Sequence, residues 1–258
     1  MSRWNDTILT SPLVWLGASL ALGLVLASAL WANAFLEAKR IERQTLSVTG
    51  AAQQPIVSDL AVWRLRFSRQ GAQQAEVYQA LAADLAKVRA FLTQHGVDDK
   101  QIELSPIQNT VLYAQTANGS STNQIEAYRL QQSLKIESMP QPNTGTASID
   151  ALAQLSQQST SLIQQGIGLE SDAPEYYYTK LDQLKVEMLG KAMANARDRA
   201  QQMARSVGNH IGPLRSGQMG VFQITPKHST EVSDYGINDT STREKTVTAV
   251  VNATFALQ

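Results

Sequence analysis

Three patterns of apolar and polar residues alternate along this chain, and each marks a kind of element. The first is an unbroken apolar run. Leu13 to Trp31 reads Leu-Val-Trp-Leu-Gly-Ala-Ser-Leu-Ala-Leu-Gly-Leu-Val-Leu-Ala-Ser-Ala-Leu-Trp, and the next charge is Glu37. About 20 apolar residues match the hydrocarbon core of a bilayer. Trp15 and Trp31 lie near the two ends, where amphipathic rings favour the interface. The run predicts a transmembrane anchor over residues 13–35, preceded by an N-terminal tail (1–12) and followed by a charged linker (36–44) that continues the helix. A cleaved signal is the rival reading, because Ala32-Asn33-Ala34 has the small-residue form of a cleavage site. The run is longer than a usual signal core, and its positive leader is thin, so an uncleaved anchor is favoured. Gly17, Ser19, Gly23 and Ala27 are small enough to let two such helices pack.

The second pattern is a period of two, which marks strands with one buried and one wet face. It is clearest at Ala61, Trp63, Leu65 and Phe67, which alternate with Val62, Arg64, Arg66 and Ser68. Further strands are expected at Thr45 to Ala52, at Ile102 to Leu112 (with Pro106 marking an edge or bulge), at Ile125 to Ser138, just after Gly166, at Leu214 to Ile224 and at Thr246 to Leu257. Ala114 to Asn123 reads as a hairpin tip, and Met139 to Gly145 and Pro226 to Ser241 read as loops.

The third pattern is helical. Val77, Leu81, Leu85, Val88 and Leu92 share one face of a helix that runs to about Gln94, and Gly96 suits its C-cap. A second helix is expected over Ser148 to Gln165, with Ile149, Leu152, Leu155, Leu162 and Ile163 inward. A third runs from Glu175 or Thr179 to Val207. Its inward side carries Leu181, Leu184, Met188, Ala192, Ala196, Ala200, Met203 and Val207. The order β-β-α-β-β-α-β-α-β-β predicts an α+β domain over 45–258, with an antiparallel or mixed sheet and helices packed on one face.

Particular segments carry a family resemblance. Ser47-Val48-Thr49-Gly50-Ala51-Ala52, then Pro55 and Asp59-Leu60-Ala61, resemble the opening of the SIMPL domain. So do Gly96-Val97 before a strand, Tyr128-Arg129-Leu130 in the hairpin return, and the ladder Ala192 to Ala204 followed by Gly208 and Ile211-Gly212. The resemblance covers Leu46 to Leu257. Pro55 and Asp59 are separated where the family often has them adjacent, and a long anchor stands where many relatives have a short cleaved signal. The family includes bacterial periplasmic immunogenic antigens and proteins linked to oxidative-stress defence, and it has no established catalytic residues. The resemblance therefore implies an exported domain at the inner membrane. The charges imply the reverse, since Lys39, Arg40 and Arg43 follow the anchor and only Arg3 precedes it, a bias that places the domain in the cytoplasm. The family expectation is the stronger of the two.

Composition narrows the chemistry. Lys and Arg total 22 against 22 Asp and Glu, without the basic excess of a nucleic-acid binder. There is no cysteine, which removes disulfides, thiolate metal sites and a Cys nucleophile. His95, His210 and His228 are far apart and lack zinc-site spacing. No Gly-x-Ser-x-Gly elbow occurs, and Gly166-x-Gly168 is too short for a dinucleotide loop. Glu170, Asp172 and Glu175 form one carboxylate cluster beside Tyr176-Tyr177-Tyr178; it suits either a cation or partner surface, or the acidic first turn of the third helix. Lys185, Glu187, Lys191, Arg197, Asp198 and Arg199 read as the wet face of that helix.

No catalytic, cofactor or metal residue is therefore assigned. The expected function is a non-enzymatic, membrane-anchored envelope protein that acts by binding or self-assembly, in contact with lipid through residues 13–35 and with envelope proteins, in envelope or oxidative stress defence. Two other classes stay open: an enzyme whose site gathers distant polar residues such as Glu170, Asp172 or His210, and a signalling adaptor facing the cytoplasm.

Overall fold

The apolar periods become the elements of the computed structural model, which describes residues 12–138 and 147–258. Most of the expected tail and the expected loop Met139 to Gly145 lie outside the described residues. The helices are α1 (Pro12–Arg43), α2 (Gln74–Gln94), α3 (Ala147–Gln158), α4 (Ser161–Gln164) and α5 (Leu181–Ser206). The strands are β1 (Thr45–Val57), β2 (Leu60–Gly71), β3 (Ile102–Leu104), β4 (Gln108–Gln115), β5 (Ser121–Glu137), β6 (Gly168–Ser171), β7 (Glu175–Tyr177), β8 (Ile211–Met219), β9 (Gln223–Pro226), β10 (Ile237–Asn238) and β11 (Glu244–Leu257). The mixed α+β class is as the pattern predicts.

Helix α1 is present where the anchor is expected. Among the described residues, however, no helix is long and apolar enough to cross a membrane. The full span expected over 13–35 is thus not met within them.

The chain divides into two units. One holds the residues up to Ala52, with Leu189–Gly220 and Val250–Gln258; the other holds Gln53–Met188 and Val221–Ala249. β1, α5 and β11 contribute residues to both. In the first unit β11 pairs antiparallel with β8, setting Ala253 opposite Gly217 and Leu257 opposite Ile211. β1 lies on the other side of β11, where Ser47 and Thr254 share a 2.8 Å hydroxyl hydrogen bond and Thr49 donates to Asn252 Oδ1 at 2.7 Å. Val48, Val251, Ala253 and Phe255 are buried, as are Ala192, Ala196, Ala200 and Ala204 of α5.

The alanines are small because the strand is close. A Cβ placed on Gly50 of β1 would sit 2.2 Å from the Ala192 carbonyl oxygen and 2.6 Å from Ala196 Cβ. The helix also covers the outer edge of β1: the Ala51 amide donates to Asn195 Oδ1 at 3.2 Å, and Arg199 Nη1 donates to the Thr49 carbonyl at 3.0 Å. Arg199, expected on a wet face, thus protects a sheet edge. Met203 and Val207, expected inward, are instead exposed. The buried stripe steps by four residues from Leu184 to Ala204, which leaves positions 203 and 207 off its line.

In the second unit β2 is central. It pairs antiparallel with β5 on one side and with β6 and β7 on the other, while β3 and β4 pair with β5. Helices α2, α3 and α4 cover one face. Trp63, Leu65, Phe67, Leu134 and Ile136 of the sheet meet Leu81, Val88, Leu92, Ile149, Leu152 and Leu162 in one core. Arg69 continues the inward alternation of β2 and forms two hydrogen bonds with Asp84, which occupies a core-facing position of α2 and is 2% exposed. Both positions fall on the apolar periods, so Asp84, cut off from water, is satisfied by Arg69, whose side chain stays 34% exposed.

Several boundaries move for local reasons. The expected strand Ile102 to Leu112 is two strands, because Pro106 has no N–H for the ladder. The expected helix Ser148 to Gln165 breaks into α3 and α4. Ser156, Ser159 and Thr160 each donate to the carbonyl three residues back, which diverts backbone acceptors at that point. Ile163, expected inward, is exposed beyond the break. Glu175 to Tyr177 is a strand rather than the start of a helix, and the expected strand Leu214 to Ile224 divides at Gly220 into β8 and β9. The long loop after β9 contains β10, parallel to β9. Asp239 pins this loop by accepting hydrogen bonds from Ser241, Thr242 and the buried Lys245. Burial opposes ionisation of Asp239, but the bonds from Thr242, Ser241 and Lys245 outweigh it and hold its carboxyl below the usual carboxylate range.

Two substitutions test this packing by urea denaturation. Gly50→Ala should cost about 1–3 kcal/mol, because backbone meets the new methyl. Asp84→Ala should cost on the order of 3 kcal/mol, the low end for a broken buried pair, since Arg69 keeps some solvent.

Candidate functional site

The face of the β2–β5 sheet opposite the core carries most of the second unit's organised charge. The strand period sends Arg64 and Arg66 of β2 to this face, and the antiparallel register sets Arg64 directly opposite Lys135 and Arg66 opposite Ser133. Like charges directly opposed on one face repel. Carboxylates from the flanking strands answer them. Glu175 of β7 lies 2.5 Å from Arg64 Nη1. Glu170 of β6 and Asp172 lie 3.3 and 3.1 Å from Arg66. Glu103 of β3 and Glu137 of β5 lie 3.2 and 2.7 Å from Lys135. Three cations therefore form a centre ringed by five carboxylates.

A cleft of about 340 Å³ opens over this centre, lined by Arg64, Arg66, Lys135, Asp172, Ser105 and Ser133 among others. It exists because the sheet edge is interrupted. Between β3 and β4 the chain leaves the ladder at Ser105-Pro106, and Ser105 Oγ accepts from the Ser133 amide at 3.0 Å while its carbonyl accepts from Gln132 Nε2 at 2.8 Å. These bonds hold the gap open.

The pairing shifts protonation in the expected sense. The Glu175 carboxyl lies below the usual carboxylate range, first because Tyr177 donates to it at 2.7 Å and second because Arg64 does. The same bond raises Tyr177 above the usual phenol range, and Glu137, then Glu103, raise Lys135. The face holds charge already neutralised by its own neighbours. It suits recognition of another charged surface by exchange of partners.

Of the sequence candidates, Glu170, Asp172 and Glu175 are all brought to this face, each on an arginine rather than on one another. They are not the acidic first turn of a helix; that position belongs to Asp182 of α5. Tyr177 supports Glu175, and Tyr176 packs on the core. The histidines stay apart. His95 caps α2, its Nδ1 2.7 Å from the Phe91 carbonyl and its ring against Phe91. His210 exchanges backbone hydrogen bonds with Gln258 at 2.8 Å. His228 lies in the loop after β9. Among the described residues no group of three His, Asp or Glu is placed to hold a metal ion. Arg64, Arg66 and Lys135 were not singled out from sequence. Their signal was their place at the polar positions of two recognised strands, but which strands pair, and in which register, is not written in either strand.

Residues 46–255 match the model of the SIMPL family, described as a protein of unknown function (DUF541). No curated protein matches the chain.

Glu175 and Asp239 bind protons more weakly in the folded chain than unfolded. Their contribution to stability is complete above the ordinary carboxylate pKa of about 4 and is lost as pH falls through the lower folded values. Thermal melts should therefore show the midpoint falling as pH descends below about 4, and Glu175→Gln should flatten that fall.

Proposed function

The chain belongs to the SIMPL family, and on that premise we propose that it is a membrane-anchored, non-enzymatic binding protein of the cell envelope. The observation that carries this reading is α1. Leu20, Leu22, Leu24, Val25, Leu26 and Leu30 are each more than half exposed, and Trp31 is 81% exposed. An apolar helix with no protein packed round it is unstable in water and stable in lipid. With the uncharged run Leu13 to Trp31, this supports an anchor over residues 13–35. Only Gln44 separates α1 from β1, so the anchor would hold the folded part close to the inner membrane.

The face centred on Arg64, Arg66 and Lys135 is the surface proposed to meet envelope protein partners, in keeping with a domain that recognises rather than transforms. Placement outside the cytoplasm follows the family resemblance against the weak basic bias after the anchor. A role in envelope or oxidative stress defence rests on that resemblance alone.

Self-association is favoured by a separate observation. The β4–β5 hairpin exposes Tyr113 and Ile125, which stand opposite each other in register, and among the described residues β4 pairs with β5 alone. Its mark would be a mass above the monomer in detergent, reduced by Tyr113→Lys.

Membrane fractionation of the full chain with a C-terminal tag tests the anchor. The protein should stay with membranes after alkaline carbonate, and the tag should be digested when protease is added to spheroplasts. Release by carbonate overturns the anchor. A protected tag overturns the envelope placement and favours a cytoplasmic adaptor.

A further inference from the structure

A sheet edge that faces solvent invites another strand, and proteins blunt such edges by shortness, charge, proline or cover. Several edges of this chain are blunted in these ways. β3, β6, β7 and β10 have 3, 4, 3 and 2 residues. The outer edge of β1 is covered by Asn195 and Arg199, and β8 carries Pro213 and Arg215. β4 has none of these devices. It is 8 residues long, and among the described residues it pairs with β5 alone. From Leu104 to Ile125 the sequence contains no Asp, Glu, Lys, Arg or His, and Glu103 and Glu126 bound the stretch. The register with β5 is unshifted over Gln108 to Leu112, and the shifts beyond add residues to β5 rather than to β4. No bulge in β4 turns its edge away.

The side chains of β4 divide between the two faces of the sheet. Asn109 stands opposite the buried Leu130, so alternation puts Ile107, Asn109, Val111 and Tyr113 on the face that α2 covers. Yet α2 does not reach over this strand. An open groove of about 570 Å³ lies between them, lined by Tyr78, Ile107, Asn109 and Leu130 among others. Tyr78 is 54% exposed, Ile107 37% and Tyr113 47%. An unblunted edge and a largely apolar groove therefore lie side by side. Strand addition uses this combination: the ladder holds the incoming backbone, and the groove takes its alternate side chains.

The sequence of the strand selects the occupant. When two copies of one strand pair antiparallel about a two-fold axis, a charge at the axis meets itself, and like charges directly opposite repel. A strand without charge escapes this in every register, and it gives a charged partner nothing to pair with. The middle of the unshifted stretch is Thr110. An axis there sets Thr110 against Thr110 of the second copy, a favourable cross-strand pair. Asn109 then stands opposite Val111, Gln108 opposite Leu112, and Ile107 opposite Tyr113. That last pair brings the exposed tyrosine of the second copy to the exposed isoleucine of the groove. The axis is normal to the sheet, so both copies keep α2 on the same face and their grooves adjoin. We infer that two copies of this chain join along β4 into one continuous antiparallel sheet, with the two-fold axis at Thr110. The inference rests on the self-association reading above and gives it an interface and a register.

The test is disulfide cross-linking of the full chain in detergent, beside its mass by light scattering. The chain has no cysteine, so each variant carries one thiol. Opposed residues of an antiparallel pair have Cα atoms roughly 4.5–5.5 Å apart, within disulfide reach. Thr110→Cys should therefore give a cross-linked dimer on mild oxidation. Gln108→Cys and Leu112→Cys, each two residues from the axis, should stay uncross-linked alone and cross-link when the two variants are mixed. Thr110→Lys sets like charges opposite each other and should return the mass to that of the monomer, while thermal melts check that every variant folds. A monomeric mass for the unsubstituted chain at tens of micromolar overturns the inference together with the self-association reading. A larger mass without the Thr110→Cys cross-link, or one that Thr110→Lys leaves unchanged, overturns this interface alone and assigns the association to another surface.

Discussion

The close approach of α5 to β1 is the constraint on which the arrangement of the first unit depends. Gly50 has no side chain because the Ala192 carbonyl occupies the space where a Cβ would lie. Ala196 of α5 is small for the same reason: a larger residue there would push the helix away from the strand. Once the two backbones are this close, Asn195 and Arg199 reach the edge of β1 and engage groups that would otherwise be open to another strand. The opening motif and the alanine ladder, which stand about 140 residues apart and both support the family resemblance, are thus two halves of one contact.

The second unit is organised by a different economy of charge. Its sheet has a dry face and a wet face, and charged residues appear on both. On the dry face Asp84 is cut off from water and bound to Arg69, which keeps part of its surface in solvent, and the pair favours one register of helix on sheet. On the wet face three cations lie next to one another in the register and are balanced by carboxylates from four strands and the link after β6. Solvent screens those wet-face pairs, so they contribute little to stability individually. Their exchangeability makes the face suited to recognition.

The polar side of β9 shows a third use of the same strand chemistry. Gln223 and Thr225 are buried there, because the loop after β9, held by Asp239 and Lys245 and by the bond from Gln223 Nε2 to the Ser233 carbonyl, lies against them.

Much of the architecture was legible along the chain. The strand period at Ala61 to Phe67, the helical stripe from Val77 to Leu92, the cap at Gly96 and the alanine ladder all follow from local geometry, because a residue's face is set by its own element's period. Local pattern and structure part where a distant partner decides the outcome: Met203 and Val207 lie outside the buried stripe, and Glu175 joins a strand because β2 offers it an edge. The carboxylates Glu170, Asp172 and Glu175 were visible as a cluster, yet their meaning required Arg64 and Arg66, more than a hundred residues earlier. Composition and pattern alone determined the α+β class, the apolar helix at the start and the absence of cysteine chemistry. Tertiary structure alone decided which charges meet, which edge is covered and which polar face is enclosed, because strand register and helix approach join residues whose separation along the chain carries no trace of the contact.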